Sequence, residues 1–101
     1  MLTMNTILRT EEFADWLRRL ADVKGKARIL ARIRAAEYGN FGDVKSIAAG
    51  VWEMRIDAGP GYRVYYLRSG KTIYVLLAGG DKSSQKRDIA KALKLAKTVK
   101  E

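Results

Sequence analysis

The 101-residue sequence contains no cysteine, no histidine and a single proline. Without cysteine there is no disulfide framework, thiol nucleophile or thiolate metal site. Without histidine there is no Ser-His-Asp or Cys-His machinery and no zinc site of the usual kind, so neither a metal nor another cofactor is expected. No run approaches the ~20 apolar residues of a membrane span, and no membrane partner is expected. The opening Met-Leu-Thr-Met-Asn lacks the charged and apolar regions of a secretory leader, which makes a cytoplasmic location the expectation. Met4 is a second candidate start, and residues 1–3 are then dispensable. Acid is scarce: 20 Lys and Arg face 11 Asp and Glu, for a net charge of +9. Any enzymatic chemistry falls to Arg, Lys, Tyr, Asp, Glu, Ser and Thr. The length suits one domain, residues 1–101, with a single small core.

The charge is uneven. The first fifteen residues are acidic on balance, residues 16–34 and 82–101 are strongly basic, and the stretch between them is neutral. Two basic blocks point to a polyanionic partner, nucleic acid first and an acidic protein second.

Residues 4–9 suit a short strand. Thr10 reads as an N-cap followed by Glu11 and Glu12 in a first helical turn. Phe13, Trp16, Leu17 and Leu20 then mark one apolar helix face. Asp22–Gly25 reads as a turn, and a second helix is expected from Lys26 to Tyr38. Its apolar side is Ile29, Leu30, Ile33 and Ala36. Lys24, Lys26, Arg28, Arg32 and Arg34 supply a basic side suited to sequence-independent, salt-sensitive RNA contacts. The two helices form a hairpin. Val44–Ala48 suits an edge strand, and Trp52, Met54 and Ile56 alternate with Glu53, Arg55 and Asp57 in a strand pattern. Ala58-Gly59-Pro60-Gly61 is a turn. Tyr62–Leu67 is a third run of strand formers, and Ser69-Gly70-Lys71 is a hairpin turn. Ile73–Ala78 reads as a central strand buried on both faces and ended by Gly79-Gly80. Ser83 or Ser84 caps a last helix over residues 83–98. The fold class is α+β, in the order β-α-α-β-β-β-β-α, with a helical hairpin packed on a twisted antiparallel sheet.

Arg63 interrupts an apolar and aromatic strand, where a charge is unexpected unless it serves a site or pairs with Glu53 or Asp57. Lys82 sits at a strand end on a glycine-rich turn, well placed to meet a phosphate, with Lys86 one helical turn on. Tyr65 lies on the Arg63 face by alternation and is a candidate for stacking on RNA bases. Trp16 and Trp52 read as core. The segment Gly79-Gly80-Asp81-Lys82-Ser83 does not make a P-loop, because the earlier glycine it requires is replaced by Val75.

Three local texts carry a family resemblance: Trp52-Glu53-Met54-Arg55, Gly59-Pro60-Gly61-Tyr62-Arg63-Val64-Tyr65-Tyr66, and Leu77-Ala78-Gly79-Gly80-Asp81-Lys82-Ser83-Ser84-Gln85. Together with the early Thr-Glu-Glu-Phe-Ala-Asp-Trp-Leu helix, they resemble the RelE/ParE superfamily of type II toxins. The nearest branch is that of the phage-derived, HigB-like addiction module killer proteins. The resemblance implies a microbial ribonuclease-like toxin fold and cleavage of mRNA on the ribosome. It also implies neutralisation by a cognate antitoxin, usually a small helix-turn-helix protein. It carries onto Arg63 the arginine that contacts the scissile phosphate, and onto Arg55 a basic position of the neighbouring strand.

Glu53 departs from the pattern, standing where RelE-like enzymes carry a second lysine. It is a candidate general base, or a structural partner of Arg55 or Arg63. The tyrosine that follows the last strand in RelE is missing, which leaves Lys82 or Lys86 to supply a proton. Internal RNA cleavage can use the substrate's own 2′-hydroxyl, and preorganised Arg and Lys can stabilise the phosphorane, so the reaction requires neither histidine nor metal. The expected function is therefore a metal-independent, ribosome-dependent mRNA endonuclease toxin. A ParE-like DNA gyrase inhibitor and an inactive basic binding module are the alternatives.

Overall fold

The computed structural model describes residues 4–100; the proposed dispensability of residues 1–3 lies outside the described residues. In chain order the elements are β1 (Thr6–Arg9), α1 (Glu11–Arg19), α2 (Val23–Glu37), β2 (Val44–Ala48), β3 (Val51–Ile56), β4 (Tyr62–Arg68) and β5 (Ile73–Asp81). A 3-10 turn (Lys82–Ser84) and α3 (Gln85–Lys100) follow. The fold is α+β, and the five strands lie side by side in the order β1-β5-β4-β3-β2.

Local chemistry explains the helix starts. Thr10 Oγ1 accepts from the Phe13 amide at 3.1 Å and donates to the Leu77 carbonyl at 2.7 Å, so one hydroxyl caps α1 and ties it to β5. Asp22 accepts from the Gly25 amide at 3.0 Å, which starts α2 at Val23 and draws the expected turn at 22–25 into the helix. Gly25 must be glycine there, since a Cβ would lie 2.4 Å from the Tyr62 ring. Asp81, rather than a serine, caps the 3-10 turn that leads into α3.

The sheet departs from the expectation in direction and centre. β1 runs parallel to β5, while the other strand pairs are antiparallel. The middle strand is β4, buried from Tyr62 through Leu67, and β5 lies beside it. Nor does Gly79-Gly80 end β5, which continues to Asp81. The glycines make room instead: a Cβ on Gly79 would meet the Trp16 ring at 2.3 Å, and one on Gly80 would meet Asp88 Oδ2 at 1.8 Å.

Both faces of the sheet are covered. On one, Phe13 and Leu17 of α1 and Ile29, Ile33 and Ala36 of α2 pack on Met54, Ile56, Val64, Tyr66 and Leu76. On the other, Ala92 and Ala96 of α3 pack on Val51, Tyr65, Leu67 and Leu77. Trp16 is half-buried against the first core, whereas Trp52, expected inside, is 40% exposed. Among the described residues, no helix is long and apolar enough to cross a membrane.

Candidate functional site

At the end of the sheet where β3 and β4 meet their turn, Arg55 and Arg63 are direct cross-strand partners, and Arg63 in turn faces Gly80 of β5. Like charges opposite one another are destabilising unless something lies between them. Here that is Glu53, two residues before Arg55 on the same face and fully buried. Its carboxylate accepts from Gln85 Nε2 at 2.7 Å, Tyr65 Oη at 3.1 Å and Arg55 Nε at 3.2 Å. The Arg63 Nε stands 3.9 Å away, close enough for charge attraction but too far for a hydrogen bond.

This arrangement bears on two expectations. A general base needs a free lone pair and an affinity for protons near the working pH. Burial pushes the Glu53 carboxyl up, but hydrogen bonds from Gln85, Arg55 and Tyr65, with the Arg63 charge, outweigh it and hold the group below its usual value. Held by three donors and within charge range of Arg63, Glu53 sits as a partner of both arginines. Tyr65 is fully buried beneath α3, so its ring offers no face to a base. Burial first, then the adjacent Glu53 carboxylate, pushes its hydroxyl far up, and it remains a donor.

Arg63 is 8% exposed, and its Nη1 donates to the Tyr62 carbonyl at 3.0 Å. Its Nε is buried without a hydrogen-bond partner. A buried orphan donor costs roughly 1–3 kcal/mol, and here the Glu53 carboxylate at 3.9 Å offsets that cost by charge attraction.

Arg55, Arg63 and Lys82 line one concavity of about 400 Å³, with Asp43, Asp57 and Gly61 around it. Gly61 explains how Lys82 comes to be there. The Lys82 amide donates to the Gly61 carbonyl at 3.1 Å, and the lysine side chain lies across the glycine. A Cβ on Gly61 would meet Lys82 Cε at 3.0 Å. Gly61 has φ +82°, the left-handed region that glycine tolerates best. Lys86 is exposed on α3 and does not line the concavity. A larger hollow of about 500 Å³ between α1 and α3 mixes Glu12, Asp15 and Asp81 with Arg19, Arg87 and Lys91, so its charges oppose one another and suit a polyanion poorly.

The basic side of α2 divides. Arg32 is a strap: its guanidinium donates to the carbonyls of Arg55, Phe41 and Asp43, tying α2 to the strand ends beneath it. Arg34 pairs with Glu37 at 3.4 Å and lies over the Tyr38 ring. Lys26 is half-buried, 3.5 Å from the Arg18 carbonyl. Lys24 and Arg28 are exposed, and Arg28 reaches the Asp57 carbonyl at 3.4 Å, beside the concavity. The reading from sequence missed Gln85, Gly61 and the rim carboxylates Asp43 and Asp57. Only the glycine in the Gly-Pro-Gly turn carried a signal that could have pointed to its role.

Comparison with known proteins bears on the family and the fold. The family model described as Phage derived protein Gp49-like matches residues 15–101. An uncharacterized protein of Haemophilus influenzae (strain Rd) is 47% identical over 93 residues, covering 92% of this chain and 94% of its own. The fold is similar to that of a free-state mutant of the Escherichia coli toxin RelE. The TM-score is 0.72 at 12% identity, covering 90% of this chain and 96% of that one.

Proposed function

The chain belongs to the phage-derived Gp49-like family, a RelE-type toxin family, and we propose that it is the toxin of a type II toxin–antitoxin module that cleaves mRNA on the ribosome. The observation that carries the reading is the convergence of Arg63, Arg55 and Lys82 on one concavity. Three cations converging on one hollow fit a phosphodiester whose negative charge grows in the transition state.

In the proposed reaction the substrate's 2′-oxygen attacks the adjacent phosphorus and loses its proton. The bond from phosphorus to the 5′-oxygen breaks, and that oxygen gains a proton. The products are a 2′,3′-cyclic phosphate and a 5′-hydroxyl. Arg63 and Arg55 bear the phosphorane charge, and Lys82 protonates the leaving oxygen. With Glu53 engaged by three donors, the proton acceptor is one of the rim carboxylates, Asp43 or Asp57. Lys24 and Arg28 extend the basic surface toward ribosomal RNA. Its surplus of positive charge also suits capture by an acidic segment of a cognate antitoxin.

The HigB-like assignment and the cytoplasmic site of action follow from this reading. Pulse-labelling after induced expression tests it. Collapse of methionine incorporation before thymidine incorporation supports it. Early loss of thymidine incorporation with filamentation supports a gyrase inhibitor, and undisturbed growth supports a plain binding module.

A further inference from the structure

Nothing in the proposed reaction requires a buried carboxylate between two arginines, yet the fold builds one with care. Glu53 is fully buried, and each of its oxygens has more than one partner: Oε1 faces Arg55 and Arg63, and Oε2 accepts from Tyr65 and Gln85. The shortest of these bonds, 2.7 Å, comes from Gln85, the first residue of α3. Gln85 carries no charge and is only half-buried, so it adds little to the core. A buried ion cluster is weak evidence for stability in itself, because desolvation offsets the attraction. What it does supply is a fixed geometry: one carboxylate plane held by two neutral donors, against which two mutually repelling guanidinium groups take their places.

We propose that Glu53 and Gln85 are a positioning pair, in which the Gln85 amide fixes the Glu53 carboxylate and the carboxylate orients Arg55 and Arg63 toward the bound phosphate. The proposal rests on the reading of the concavity as a phosphate site. It deepens that reading by making the first turn of α3 part of the site's construction, although Gln85 itself does not line the concavity.

A counter-charge and a positioning group predict different kcat responses to Glu53→Gln. Removing a negative charge beside the site raises the local positive potential, so a mere counter-charge, once neutralised, leaves RNA binding equal or tighter and kcat unchanged. A positioning group, once loosened, leaves KM equal or lower while kcat falls, by about 10²-fold for a misplacement near 1 Å. Gln85→Ala changes no charge and should lower kcat with KM and the salt dependence held.

The direct readout is the Arg63 Nε–Hε NMR resonance, which is independent of any nuclease activity. In the unaltered protein it should be resolved, slow to exchange with water and shifted by inorganic phosphate. In Gln85→Ala and Glu53→Gln it should merge with the exchange-averaged arginine signals and lose the phosphate response, while the amide spectrum stays dispersed. If Glu53→Gln fails to fold, Gln85→Ala decides alone. Unchanged Arg63 resonance and unchanged phosphate response in a folded Gln85→Ala protein overturn the proposal. A positioned Arg63 that responds to phosphate, in a protein that cuts no RNA, leaves the pair standing and overturns the nuclease reading instead.

Discussion

The Gly61→Ala substitution separates what the turn does for stability from what it does for Lys82. Gly61 has φ +82°, where an L side chain costs roughly 1–2 kcal/mol. For a domain of this size that lowers Tm by about 5–15 °C. The added Cβ would also lie 3.0 Å from Lys82 Cε and 3.1 Å from Cδ and Cγ. Lysine is flexible and moves aside at small energetic cost, but the route across the glycine is then closed and the ammonium leaves the concavity. Removing the group that protonates the leaving oxygen costs about 10²–10⁴ in kcat. Gly61→Ala should therefore reproduce most of the loss seen in Lys82→Ala while keeping the lysine. The double variant should be no less active than Lys82→Ala alone. Gly39→Ala is the control, because Gly39 has φ +90° and a Cβ there would have nothing within 4 Å: it should lose similar stability and no activity. Urea unfolding and single-turnover cleavage measure the two effects. A Gly61→Ala protein that is destabilised as expected yet cleaves like the parent would refute the role given to the Lys82 path.

Other outcomes follow from the same geometry. Arg63→Lys keeps the charge but loses the planar fork, so kcat should fall by at least about tenfold with the fold intact by circular dichroism. Lys24→Ala and Arg28→Ala should weaken ribosome binding in a graded way and flatten its salt dependence by about one counterion each, whereas Arg32→Ala should chiefly lower Tm. Glu53 titrates below its usual value in the folded chain, so it contributes stability above the ordinary glutamate pKa that is lost as pH falls through the depressed one. Denaturant unfolding from about pH 7 down to about pH 3 should show that loss, and Glu53→Gln should lack this contribution. Gly79→Ala places a Cβ 2.3 Å from the Trp16 ring and should cost about 1–3 kcal/mol by overpacking, read as a lower urea midpoint.

Much of the fold was legible because local chemistry and periodicity agreed. Thr10 announced the start of α1, and Phe13 and Leu17 its buried face. The alternation of Met54 and Ile56, with Gly-Pro-Gly after it, announced the β3–β4 hairpin. The parallel pairing of β1 was hidden, since a period of two specifies which face a residue takes and not the direction of its neighbour. Gly79-Gly80 looked like a stop because a glycine pair is a common turn signal. The need it meets, room for Trp16 and Asp88, comes from residues distant in sequence.

The site was half-legible for a related reason. Arg63 stood out as a charge in an apolar run. Glu53 and Tyr65 looked like the open face of a half-exposed strand, and nothing local revealed that α3 returns to cover that face. The burial that removed Tyr65 from RNA stacking also encloses Glu53 among its hydrogen-bond donors. Arg32 looked equivalent to Lys24 and Arg28 on the helix, and only the carbonyls of Arg55, Phe41 and Asp43 beneath it set it apart.

The most direct test of the central claim is primer extension on a reporter mRNA in a reconstituted translation system, with the parent protein or Arg63→Ala, each with and without ribosomes. Codon-phased cuts are predicted only where ribosomes and Arg63 are both present. Equal cutting by a folded Arg63→Ala protein, or no cutting by the parent protein on translating ribosomes, would contradict the claim.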